Sequence, residues 1–307
     1  LKWIEVPQSV RDVVTAHLGS VESVHEITVG QSSDLAVVVT TGDGRVFVKA
    51  VRSVCRLMRW LRNEIGGNSA AGALAPAVLF HVDLNAEDAA DDEPWLIVGF
   101  EFVDGRPVSL APGSPDLEVV GATLERIAAT PASVDIRPLA HRWADNDSWQ
   151  LCVELSPEVV AGWDIELMTR IGASVPALVV GDRLVHTDLH RHQILLSADG
   201  KPSVIDWGHP GAGAAWVDTA LMIPRLIMAG HDTADAESWA RDVPTLRDVE
   251  PDSLDAFACY IGGFWTHLDA IGRAIPTLSC VAREWAAWRL SRRGLTAAST
   301  SSLTGQG

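Results

Sequence analysis

The apolar positions along the chain change their period several times, and each change predicts an element. Gln8–Leu18 reads as a short helix, and from Val24 to Val51 the pattern turns to strands. Leu35–Thr40 and Arg45–Val51 are β-rich runs joined by Thr41-Gly42-Asp43-Gly44. The Asp-Gly pair predicts a hairpin there, because glycine takes positive φ without a steric penalty. Val54, Leu57, Met58, Leu61 and Ile65 then recur at helical spacing and predict a helix over 54–65. Two further strands are expected at 77–82 and 95–102, with the acid-rich stretch 85–93 between them as a solvated loop.

Phe102-Val103-Asp104-Gly105-Arg106-Pro107 breaks the pattern, and beyond it the chain becomes mainly helical. The periodicity predicts helices over 117–129, 158–179, 218–229, 254–271 and 281–292. Residues 184–207 interrupt them with short strands around a polar loop, and the Ser/Thr/Gly-rich tail after Gly294 is expected to fray. There is no internal repeat. The expected fold class is therefore α+β. A small antiparallel β-lobe with one inserted helix spans 1–101, a linker spans 102–107, and a larger, mainly helical lobe spans 108–307. A groove between two lobes is a favoured place for a ligand.

Composition narrows the class of protein. Of 307 residues, 47% are apolar and 21% charged, which predicts a soluble globular chain. The formal net charge of −16 argues against nucleic acid and anionic membranes as partners, since both carry negative phosphates. It favours cationic small molecules, or serves solubility alone. Cys55, Cys152, Cys259 and Cys280 are far apart, with no Cys-x-x-Cys pair, so free thiols in a reducing cytosol are expected. Leu1–Pro7 does not read as a secretory signal, and no apolar run reaches the length of about 18 residues that spans a membrane. These features predict a cytoplasmic protein.

The chemistry concentrates in Leu184-Val185-His186-Thr187-Asp188-Leu189-His190-Arg191-His192-Gln193-Ile194-Leu195-Leu196, a polar cluster between apolar strands. Val204-Ile205-Asp206-Trp207-Gly208 follows, with an acid at a strand end before a glycine turn. Phosphoryl transfer needs one carboxylate to orient or deprotonate the attacking hydroxyl and another to hold the metal that bridges the phosphate oxygens. Asp188 and Asp206 have the spacing and context for those two roles.

These residues resemble the catalytic loop His-x-Asp-x-x-x-x-Asn and the metal-binding Asp of the kinase-like phosphotransferases. The likeness is to aminoglycoside and related antibiotic phosphotransferases of actinobacterial type. Ile205-Asp206-Trp207 is similar to that family's version of Asp-Phe-Gly, and Gly211–Ala220 is similar to the segment after it. The resemblance covers residues 22–225 and implies a protein-kinase-like bilobal fold, a nucleoside triphosphate (ATP or GTP) with Mg2+, and a hydroxylated small molecule as acceptor. By this resemblance Asp188 is the catalytic base, and His190 contacts the γ-phosphate. Lys49, in the strand Val46-Phe47-Val48-Lys49, contacts the α- and β-phosphates, and Glu64 pairs with it from the next helix. Ser32 and Ser33 of Gly30-Gln31-Ser32-Ser33-Asp34 occupy the nucleotide-loop position. Glu101 and Val103 supply the backbone carbonyl and N–H that read a purine. Asp206 and Gln193 hold the metal, and Trp265, His267 and Asp269 of a late helix fall where the family places substrate contacts.

The chain departs from the pattern at Gln193, where the family has Asn. Both offer an amide oxygen to a hard cation, but Gln is one methylene longer. A catalytically weak nucleotide-binding module is the alternative that this substitution keeps open. A third reading takes His186, Asp188, His190 and His192 as zinc ligands of a hydrolase, although their order is not the usual metallo-hydrolase run. A protein kinase is disfavoured by the missing Gly-x-Gly-x-x-Gly loop and Ala-Pro-Glu segment. Plainer readings accompany each residue. Lys49 is otherwise an edge-strand charge, Glu64 a solvated helix residue, His186 a structural loop residue, and Asp218 a backbone anchor of the loop. Trp3, Trp60, Trp143 and Trp149, among 12 tryptophans, are expected as core anchors.

Overall fold

Alternation along one strand decides what each face of the N-terminal sheet becomes. The computed structural model describes residues 1–28, 33–89, 92–144 and 147–297. Five antiparallel strands run β1 Val21–Glu26, β2 Leu35–Thr41, β3 Gly44–Arg52, β4 Val78–Leu84 and β5 Trp95–Glu101, in the spatial order β1-β2-β3-β5-β4. Successive side chains of a strand point to opposite faces. Val46, Val48 and Ala50 of β3, with Trp95 and Ile97 of β5, pack on one face against Val6, Val10 and Val14. The last two belong to helix α1, Gln8–Leu18. On the other face Phe47 and Val51 join Leu96, Val98 and Phe100 against Met58 and Leu61 of helix α2, Arg56–Ala71. Lys49 shares this second parity, and so faces α2.

The hairpin between β2 and β3 pairs Thr41 with Gly44 across a two-residue loop, Gly42-Asp43. Gly44 takes φ +133°, the conformation for which a glycine was expected there. Helix α2 differs from the expected 54–65. Val54 lies outside it and is exposed, whereas the helix runs on through Gly66 and Gly67 to Ala71.

The chain divides into two compact units: Leu1–Val108 with Arg191–Pro210, and Ser109–His190 with Gly211–Gly307. The expected division at 102–107 put Gln193 and Asp206 in the helical lobe. Instead, 191–210 groups with the β-rich unit. Its strands Ile194–Leu196 and Pro202–Val204 form an antiparallel hairpin, and the first also pairs with Arg106–Pro107. That pairing joins residues far apart in sequence, and no local pattern announces it.

The second unit is mainly helical, with Arg183–Val185 and Gly211–Gly213 paired as a small two-stranded sheet. Helices Asp116–Ala129, Val217–Met228, Pro251–Ala270 and Pro276–Ser291 lie where periodicity predicts them. The expected helix over 158–179 is instead three short ones, Pro157–Val160, Ile165–Gly172 and Val175–Leu178. Gly162 at φ +81° breaks the first, and the Asp164 carboxylate accepts the Leu167 N–H at 2.9 Å to start the second. Helix Ser148–Leu155 was not anticipated. Among the described residues no helix is long and apolar enough to cross a membrane.

Candidate functional site

In the β-rich unit, two periodicities converge on one buried ion cluster. Lys49 faces α2, and the buried face of α2 runs Met58, Leu61, Glu64, Gly67, Asn68, Ala71. Lys49 Nζ donates to Glu64 Oε1 at 2.9 Å and Oε2 at 3.0 Å, and also to Asp206 Oδ1. Lys49 and Glu64 are almost fully buried, while the Asp206 side chain keeps 39% of its surface exposed. Burial alone would lower the Lys49 pKa, but the charges and hydrogen bonds of Glu64 and Asp206 outweigh it and raise it. Burial pushes Glu64 upward, against the pull of Lys49 and with the repulsion of Asp206. The cluster thus fixes a protonated lysine beside an accessible carboxylate.

The hairpin 194–204 sets the second donor. Ile194 pairs with Val204, and the Ile205 N–H donates to the Gln193 carbonyl at 2.9 Å. Gln193 and Asp206 therefore flank the same end of the hairpin, Gln193 buried and Asp206 partly open. An amide oxygen and a carboxylate are the donor types a hard divalent cation prefers, so this pair fits magnesium. Asp206 sits at φ +62°, a left-handed conformation that Asp tolerates better than most residues.

Helix α2 holds this segment from behind. A Cβ on Gly67 would lie 2.7 Å from Trp207 Cβ and 2.8 Å from the Trp207 carbonyl oxygen. Asn63 Nδ2 donates to the Gly208 carbonyl at 3.2 Å, and the Trp60 ring meets His209 edge-on at 4.7 Å. Gly67→Ala is therefore expected to destabilise the protein. Helix propensity favours Ala by about 1 kcal/mol, but overpacking costs about 1–3 kcal/mol, and both contacts are near backbone. A lowered melting temperature is the expected result, and a raised one would show that the segment after Asp206 yields freely.

In the helical unit, the loop carrying Asp188 is tied down by backbone bonds. The buried Asp218 carboxylate accepts the His186 N–H at 2.7 Å and the Thr187 N–H at 2.8 Å. Thr187 takes φ +67°, a costly conformation for a β-branched residue, and its Oγ1 accepts from Arg142 Nη2 at 2.8 Å. Burial pushes the Asp218 carboxyl up to about 6, against the two backbone donors and Arg142, which pull it down. Asp218→Ala removes the carboxylate that accepts from two N–H groups, at a cost of about 1–3 kcal/mol for each bond. Urea unfolding should show that loss, and an unchanged midpoint would contradict the anchoring role. His186 is fully buried, with the Asp188 N–H directed at its Nδ1 at 3.4 Å. It has no exposed edge for a substrate. Among the described residues, no group of three or more His, Cys, Asp or Glu side chains is placed to hold a metal.

Asp188 itself is part-buried, and its Oδ1 accepts from Arg225 Nη2 at 3.1 Å. Arg225 lies inside the apolar run Ala220–Met228, where a lone charge is the signal that sequence reading passed over. The Arg225 guanidinium stands 5.3 Å from the centre of the ring of Trp265, an expected substrate residue that is 6% exposed. The other residues named from sequence are more scattered. His190 is half-buried in the irregular stretch after Asp188. The buried Nδ1 of His267 has no hydrogen-bond partner among the described residues, and Asp269 accepts from Ser279 Oγ at 2.6 Å. In the β-rich unit Glu101 ends β5, Val103 follows it outside regular structure, and Ser33 is half-buried before β2. Ser32 lies outside the described residues. Trp143 and Trp149 are buried core residues, while Trp3 and Trp60 are half-buried.

Solved structures share the fold at low identity. A thermostable mutant of aminoglycoside phosphotransferase APH(4)-Ia, in ternary complex with AMP-PNP and hygromycin B, superposes with a TM-score of 0.59 at 16% identity, over 93% of this chain and 96% of that one. Choline kinase LicA from Streptococcus pneumoniae gives 0.57 at 12% identity, over 92% and 98%. Spectinomycin phosphotransferase APH(9)-Ia, in complex with ADP and spectinomycin, gives 0.56 at 12%, over 91% and 93%. At these identities the likeness establishes the kinase-like fold. No curated protein sequence matches the chain. The profile of the phosphotransferase enzyme family, APH, matches residues 23–251, well over half of the chain. A kinase-like α+β fold and a family match of that extent agree with the motifs around Asp188 and Asp206, and the chain belongs to the phosphotransferase enzyme family.

Proposed function

We propose that the protein transfers the terminal phosphoryl group of ATP or GTP, with magnesium, to a hydroxyl of a small molecule, with an antibiotic as the favoured acceptor. The observation that carries this reading is the cluster of Lys49, Glu64 and Asp206, with Gln193 beside Asp206 on one hairpin. Lys49, positioned by Glu64, holds the phosphates. Asp206 and Gln193 hold the metal, which when bound neutralises phosphate oxygens. Ser32 and Ser33 approach the phosphates, the backbone of Glu101 and Val103 reads the base, and His190 meets the γ-phosphate. The acceptor oxygen bonds to the γ-phosphorus as the bond from that phosphorus to the β,γ-bridging oxygen breaks. The hydroxyl proton passes to Asp188 late in that step. The solved neighbours with AMP-PNP or ADP support a nucleotide co-substrate. The net charge of −16 supports a cationic acceptor, and the unpaired cysteines support a cytoplasmic location.

Gln193 in place of Asn favours a second reading, a nucleotide-binding module of low activity. Incubation with ATP or GTP, magnesium and a panel including hygromycin B, spectinomycin and choline separates the two. The enzyme reading expects an acceptor that gains the mass of one phosphoryl group, lost in Asp188→Ala. Nucleotide-dependent thermal stabilisation without product on any acceptor favours the module.

A further inference from the structure

We propose that Arg225, braced on Trp265, positions the Asp188 carboxylate for the acceptor hydroxyl, an inference that rests on the role given to Asp188 above. The pair is asymmetric. Arg225 is 8% exposed at its side chain, whereas Asp188 keeps 43%. The arginine is set in the helix Val217–Met228, in which every residue from Val217 to Leu226 is buried. Trp265, on the helix Pro251–Ala270, is itself 6% exposed and presents its ring to the guanidinium. The cation is therefore held by packing on two helices, and the carboxylate it meets sits on a loop. A donor fixed in this way orders the acid without needing to reorganise during the reaction. Burial lowers the Arg225 pKa against the pull of Asp188, so the pair carries a desolvation cost.

That cost separates positioning from packing. A pair kept for stability alone loses melting temperature and not kcat when the arginine is replaced, because the Asp188 left behind is 43% exposed and stays in contact with water. Arg225→Met fills a similar volume and removes the donor. Arg225→Lys keeps the charge but not the planar fork. Turnover is followed with the acceptor panel above and, in parallel, with water as acceptor through nucleotide hydrolysis. The expected result is a kcat about ten- to a hundredfold lower in Arg225→Met, with the nucleotide KM within about twofold of wild type and part of the loss restored by lysine. Trp265→Phe, which weakens the brace, is expected to lower kcat by a smaller factor of about two to five. Melting temperatures identify any variant that fails to fold, in which case Arg225→Lys and Trp265→Phe carry the test. Wild-type kcat in the folded variants overturns this inference alone. A wild-type protein that turns over no acceptor and no water overturns the functional reading and this inference with it.

Discussion

Asp188→Ala is expected to lower phosphoryl transfer by about 10²–10⁴-fold, the span associated with a positioned general base. Nucleotide binding should persist, because Lys49, Glu64 and Asp206 belong to the other unit and keep their contacts. The variant also removes the carboxylate that meets buried Arg225. The charge left behind is the buried Arg225, 8% exposed, so Asp188→Ala is expected to lower the melting temperature as well as the rate. Asp188→Asn keeps the shape and an acceptor oxygen for Arg225 while losing the base. The kinetic loss should appear in both variants and the melting-temperature loss mainly in Asp188→Ala. A kcat near wild type in Asp188→Asn would assign the proton transfer elsewhere.

Asp206→Asn should be nearly as damaging, for a different reason. A bound divalent metal supplies several kcal/mol of charge stabilisation, which corresponds to about 10²–10⁴ in rate. Lys49 keeps Glu64 as a buried partner, so the core of the β-rich unit should remain intact. The effect is therefore expected in metal-dependent observables. Magnesium with AMP-PNP should raise the melting temperature of wild type and not of Asp206→Asn, and chelation of the metal should bring wild type to the level of the variant. Equal stabilisation of both proteins by magnesium and AMP-PNP would remove Asp206 from the metal site.

Much of this arrangement is legible in one dimension because it follows from period. Lys49 takes the parity of Phe47 and Val51, and Glu64 follows Leu61 by one helical turn, so strand and helix independently turn both residues to one interface. The hairpin register that sets Gln193 beside Ile205 likewise follows from two short β-runs flanking a turn. What local pattern does not carry depends on distant partners. Gly66-Gly67 follows the end of the helix expected over 54–65, yet α2 continues past it, with Gly67 admitting Trp207 from a distant part of the chain. Residues 191–210 group with the β-rich unit through the pairing of Arg106 with Leu196. Arg225 looks like a stray charge in an apolar run until the fold brings Asp188 and Trp265 to it. The break of 158–179 at Gly162 is a local feature that the apolar periodicity overrode.

The most direct measurement is transfer of label from nucleotide to acceptor. Wild-type protein, magnesium and ATP or GTP labelled at the γ-phosphorus are incubated with the hydroxylated acceptor panel, beside the same nucleotides labelled at the α-phosphorus. The proposed chemistry predicts γ-label on an acceptor hydroxyl, no α-label there, and loss of the transfer in Asp188→Asn. Transfer of α-label, or γ-transfer that survives in Asp188→Asn, would contradict it.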